Sequence, residues 1–74
     1  MTFNDVVEDA RQYQVEFVRL DWDRKRTDFV VRGNGRVASM RMVDGHWRVA
    51  MGDRLFVGSK AKAANWAVDW VVNG

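Results

Sequence analysis

Three short breaks divide the middle of the chain into runs of four to eight residues that read as strands. They are Gly33-Asn34-Gly35, Asp44-Gly45 and Gly52-Asp53, and each carries residues that tolerate positive φ. Asp44-Gly45 has the strongest form of the two-residue hairpin signal. Between and around the breaks lie four runs, residues 28–32, 36–43, 46–51 and 54–57. In the third, Trp47, Val49 and Met51 fall on one face, and His46, Arg48 and Ala50 on the other. That period of two belongs to a half-buried strand. Connections this short join antiparallel neighbours, so the pattern predicts a meander.

A further strand is expected upstream, over residues 13–22. There Tyr13, Val15 and Phe17 alternate with Gln14 and Glu16. From Val18 the phase changes, and Val18, Leu20 and Trp22 take the opposite face. Either a bulge shifts the register or the far end of the strand buries its other side. Asp23-Arg24-Lys25-Arg26 reads as a charged connection to the next strand.

Helical spacing marks both ends of the chain. Phe3, Val6, Val7 and Ala10 recur at i, i+3, i+4 and i+7, and Thr2 with Asp5 forms a variant of the capping box. A helix is expected from Phe3 to about Gln12. The closing segment is capped by Ser59 and ends at Gly74. At about 100° per residue, Ala63, Ala64, Ala67 and Val71 form the centre of its apolar face. Trp66 and Trp70 lie on one flank, Val68 and Val72 on the other, and Lys62, Asn65, Asp69 and Asn73 form a narrow polar strip. Small central residues let a helix lie close to a sheet. Both indoles are expected in the core; the alternative is that Trp66, nearest the polar strip, stays partly exposed and anchors a partner.

The resulting fold class is two-layer α+β: an N-terminal helix, an antiparallel meander of four or five strands, and a C-terminal helix on one face of the sheet. The 74 residues make a single domain, 1–74, near the lower size limit for a self-supporting core. With no proline and no low-complexity tract, no linker is visible. Without cysteine there is no disulfide and no thiolate-bound metal, which fits a reducing compartment. No apolar run approaches a membrane span and no secretory pattern opens the chain, so a cytoplasmic location is expected.

Charge is unevenly distributed. Residues 1–23 carry a net −4, whereas residues 24–62 hold ten bases against three acids, a net +7. Seven of those ten bases are arginine, whose planar fork suits phosphate and carboxylate. The sheet face away from the helices is expected to be wet and to carry Arg41 and Arg48. The arginines are expected to scatter, with partial clustering.

Catalytic chemistry finds little support. His46 is the lone histidine and Ser39 and Ser59 are the only serines, none in a nucleophile context. Histidine, cysteine and carboxylate spacing for a metal is missing. Asp21 and Asp23 stand two apart beside a basic run, which suits charge balance or a turn. Gly33-Asn34-Gly35 sits between strands, so it does not open a helix as a phosphate loop would. The chain is therefore read as non-enzymatic, without cofactor or metal.

The start of the closing helix, Ser59-Lys60-Ala61-Lys62-Ala63, resembles the second helix of double-stranded RNA-binding domains, in which lysines grip phosphates across a groove. Ser59, Lys60, Ala63 and Ala67 match that pattern; Ala61 and Ala64 stand where it has lysines, and Lys62 is one position off. The resemblance covers about ten residues and implies RNA binding through Lys60 and Lys62.

Two functions from different classes follow. The first is a binding module that docks on a macromolecule. In size, split charge and tryptophan content it looks like the small regulators with which phages inhibit or redirect host machinery such as RNA polymerase or a defence nuclease. Its expected surface is Trp22, Arg24, Lys25, Arg26, Arg32, Arg36, Arg41, Trp47 and Arg48, with the acidic first helix as a second candidate. The alternative is direct nucleic-acid binding through the same arginines with Lys60 and Lys62. A homodimer through the C-terminal helix is a third expected interaction.

Overall fold

The computed structural model describes residues 1–23 and 26–74, with the side chains of Trp22, Asp23 and Arg26 outside the description. The first helix, α1 (Phe3–Ala10), starts at a full capping box. The Thr2 hydroxyl accepts from the Asp5 N–H at 3.2 Å, and the Asp5 carboxylate accepts from the Thr2 N–H at 3.0 Å. Those two backbone N–H bonds satisfy donors that a helix start leaves without partners. After α1 the chain tightens into a 3-10 turn over Arg11–Tyr13, then reverses at Gln14, whose φ is +61°. The expected strand from Tyr13 is thus delayed: Tyr13 is half exposed in the turn, and pairing begins only after the left-handed residue.

Five strands follow: β1 (Glu16–Asp23), β2 (Arg26–Gly33), β3 (Arg36–Val43), β4 (His46–Met51) and β5 (Arg54–Gly58). Each pairs antiparallel with the next, so spatial order equals chain order and β1 and β5 are the edges. Two hairpins turn on residues with positive φ at both central positions: Asn34 and Gly35 at 52° and 77°, Asp44 and Gly45 at 53° and 79°. Gly33 is not one of the turn residues. It pairs with Arg36 inside the ladder, and a Cβ there would lie 2.9 Å from the Gln14 carbonyl oxygen. Its bare backbone makes room for the chain entering β1.

The phase change in β1 has the second of the anticipated causes: the far end of the strand half-buries its other side. Val18 and Leu20 turn their half-buried side chains to the face away from the helices, in regular register with Val30 and Asp28. The ladder shifts only between Asp21 and Asp23, a bulge near the end of this edge strand.

The closing helix α2 (Lys60–Asn73) is capped by Ser59, whose hydroxyl accepts from the Lys62 N–H at 3.3 Å. It lies against β2, β3, β4 and β5, and α1 packs beside it. Ala63, Ala64, Ala67 and Val71 are all fully buried, as their angular positions require. Facing them are Val31, Ala38, Met40, Val49 and Met51. This is a two-layer α+β fold, with one sheet face under the helices and one left open. The wide apolar face of α2 is used on the sheet, so only its flank remains outside: Trp66 is 48% exposed, while Trp70 is half-buried. Among the described residues no helix is long and apolar enough to cross a membrane.

Candidate binding surface on the open sheet face

Alternation along the strands decides which side chains face away from the helices. Register then sets their neighbours. The ladder places Arg41 of β3 directly opposite Arg48 of β4. Directly opposed residues in an antiparallel pair have Cβ atoms ~5 Å apart, and like charges there repel. Both arginines are exposed, and neither is ion-paired to an acid among the described residues. Asp28, one strand away on this face, is itself partnered.

Aliphatic side chains flank the pair on the β5 side. Val57 of β5 stands opposite Arg48, and Leu55 opposite Ala50. Val57, Leu55 and Val37 are 50%, 62% and 60% exposed. Val18, Val30, Ser39, Ala50 and Leu55 line up as one row across all five strands. Among the residues of this face whose side chains are described, none is Phe, Tyr or Trp.

The other anticipated site residues divide among several places. Arg32 shares the open face but is already paired: its Nη2 lies 3.0 Å from Oε2 of Glu16, the residue directly opposite on β1. Arg36 faces the helix side, at the C-terminal end of α2. There it donates to the Trp70 carbonyl at 3.4 Å and covers the Trp70 ring, a cation where the helix dipole is negative. Trp47 also turns to the helix side, half-buried against Phe29 at 5.9 Å. It and Arg48 therefore point to opposite faces and cannot serve one contact together. Arg24 and Lys25, and the side chains of Trp22 and Arg26, lie outside the described residues. Of the four expected bases whose side chains are described, Arg32 and Arg36 lie apart, whereas Arg41 and Arg48 meet.

The lysines of α2 also part company. Lys62 is exposed on the outer side of the helix. Lys60 folds inward, its Nζ 4.3, 5.2 and 5.3 Å from the ring centroids of Phe3, Phe29 and Trp47. That ammonium is held over three aromatic faces instead of being presented to a phosphate.

The serines and the histidine stay apart. His46 stands opposite Val43 on the open face. Ser39 is four residues earlier on β3, ~13 Å away at the usual strand rise. The Ser59 hydroxyl is engaged in the α2 cap. Asp21 accepts from Arg19 Nε at 2.9 Å and from the Thr27 hydroxyl at 2.8 Å. Those two bonds, Arg19's first, hold its carboxyl below the ordinary carboxylate range. On α1, Glu8 and Asp9 are exposed and Asp5 is occupied by its cap. Comparison with protein-family models, curated proteins and solved structures finds no match to this chain.

Proposed function

We propose that the chain is a non-enzymatic binding module. On this reading it docks through the open sheet face on an acidic, partly apolar patch of another protein. The observation that carries this is the opposed Arg41–Arg48 pair. Two like charges facing each other across a ladder cost stability in the isolated domain. A carboxylate from a partner would bridge both guanidiniums and turn that cost into affinity. Arginine is suited to this, because its fork accepts a carboxylate bidentately and sheds water more readily than an ammonium.

The choice of a protein over a nucleic acid rests on what surrounds the pair. Single-stranded nucleic acids are gripped by a charged groove with aromatic platforms, and duplexes by many phosphate contacts. Here Trp47 faces the other way, Arg32 is neutralised by Glu16, and Lys60 is enclosed by rings. What borders the arginines is exposed Val57, directly opposite Arg48, with exposed Leu55 next along the same side of β5, a mixture typical of protein–protein contacts. The partner class to test first is the machinery suggested by the sequence: a host RNA polymerase or a defence nuclease, with the chain acting as a small phage-type regulator.

The test is capture from a bacterial lysate on the immobilised protein, with and without nuclease, beside an R41E/R48E variant. Both positions are exposed, so the variant should fold. A protein band that survives nuclease and is missing from the variant is the expected result. Recovery of nucleic acid, with bands that vanish on digestion, would establish direct nucleic-acid binding instead. A band retained by the variant would show that this face is not the site.

A further inference from the structure

The two edges of the sheet are built differently. β1 carries Glu16, Arg19, Asp21 and Asp23 and a register shift near its end. Charge and bulging are the usual means of keeping an edge from pairing with another chain. β5 has neither. Its sequence is Arg54-Leu55-Phe56-Val57-Gly58, uncharged after the first residue, without proline, and in unbroken register with β4. Beside it, Trp66 of α2 stacks on Phe56 with centroids 5.2 Å apart and stays half exposed. An open groove of about 910 Å³ runs between this edge and α2, lined by Phe56, Val57, Gly58, Ala61, Asn65 and Trp66 among others.

We propose that β5 pairs antiparallel with β5 of a second copy, joining two sheets into one of ten strands about a twofold axis. The seam shares Leu55 and Val57 with the margin of the open face but uses neither Arg41 nor Arg48, so the inference goes beyond the docking reading and does not depend on it.

Self-complementarity singles out a second copy as the occupant. Centred on Phe56, the antiparallel register sets Phe56 against its symmetry mate, Leu55 against Val57 of the other copy, and Arg54 against Gly58 of the other copy. The lone charge of the strand thus never meets its like. Leu55 and Val57, the exposed aliphatics of β5, cover each other twice. One residue further out, the same register carries Asp53 to Ser59 of the other copy. Ser59 caps α2, whose first turn contains Lys62. A carboxylate is favoured at a helix N-terminus beside a lysine, and the twofold axis repeats the contact. On the helix side, the two Phe56–Trp66 stacks come together over the seam. A strand of five residues with one indole falls at the low end of stable interfaces, near ~1,200 Å² in total. The dimer is therefore expected to dissociate on dilution.

Sedimentation equilibrium from micromolar to millimolar protein tests this. The unmodified chain should pass from monomer to dimer across that range. L55K/V57K places like charges across the seam at both positions and should weaken association by roughly tenfold or more. L55E/V57K places opposite charges there and should restore it. Both sites are exposed, and matching thermal melts will verify that each variant is folded. R41E/R48E should leave association unchanged, so failure here and failure of the docking reading are separately visible. The proposal is overturned if the unmodified chain stays monomeric throughout. It is equally overturned if L55E/V57K, folded, is as defective as L55K/V57K.

Discussion

The ammonium of Lys60 lies 4.3 Å from the Phe3 centroid, with Phe29 and Trp47 completing a three-sided enclosure. Its stem and charge together close the gap between α1, the first turn of α2 and the sheet. Lys60→Met keeps the stem and removes the charge, and should cost about 0.5–2 kcal/mol in urea unfolding. Lys60→Arg should recover most of that loss, since guanidinium also binds ring faces. No local pattern in the sequence announces this role. The three rings come from α1, β2 and β4, so only the folded chain brings them together, and the lysine reads in isolation as a phosphate ligand. Gly33 has the same lesson in backbone form. Beside Asn34-Gly35 it looks like a turn residue, yet its function is to let the Gln14 carbonyl approach. Arg32 is the contrasting case of a charge already satisfied, because Glu16 falls directly opposite it once the register is set.

Elements whose signals are local were readable from the sequence. The capping box, the hairpin turns and the angular positions on α2 depend on residues within a few positions of each other, and they appear where the residues place them. The α1 cap also has a pH signature. The Thr2 N–H, then the Thr2 hydroxyl, hold the Asp5 carboxyl below its ordinary value. A depressed folded-state pKa gives stability that is present above the unfolded value, ~3.9. It is lost as pH falls through the folded one. Acid should therefore fray the start of α1 in that window, seen as faster amide exchange at Asp5 and Val6. Asp5→Asn should flatten the dependence. The start of β1 was less legible. Tyr13, Val15 and Phe17 alternate as a strand would, but Gln14 takes a left-handed conformation that sends Tyr13 into a turn. Alternation records side-chain polarity and carries no information on φ.

At the scale of the whole molecule, the sequence established two layers and a wet face with Arg41 and Arg48 on it. It left open which charges would meet. Convergence depends on register between strands, and a slip of one residue would send every side chain to the other face. Register brings Arg41 to Arg48, separates Trp47 from both, and pairs Arg32 with Glu16. Both indoles were expected in the core, but Trp66, the one nearest the polar strip of α2, stays 48% exposed. The unguarded edge at β5 followed from the meander itself, because the last strand of a meander has only one neighbour. The central claim is that the Arg41–Arg48 pair is held against the interest of the fold for the sake of a partner. A single substitution, Arg48→Glu, tests both halves, with unfolding in denaturant and partner capture measured on the same preparation. The repelling pair becomes an attractive one, so stability should rise by about 0.2–1 kcal/mol, while capture of the protein partner is lost. A variant that is less stable than the unmodified domain, or that still captures the partner, would contradict the account.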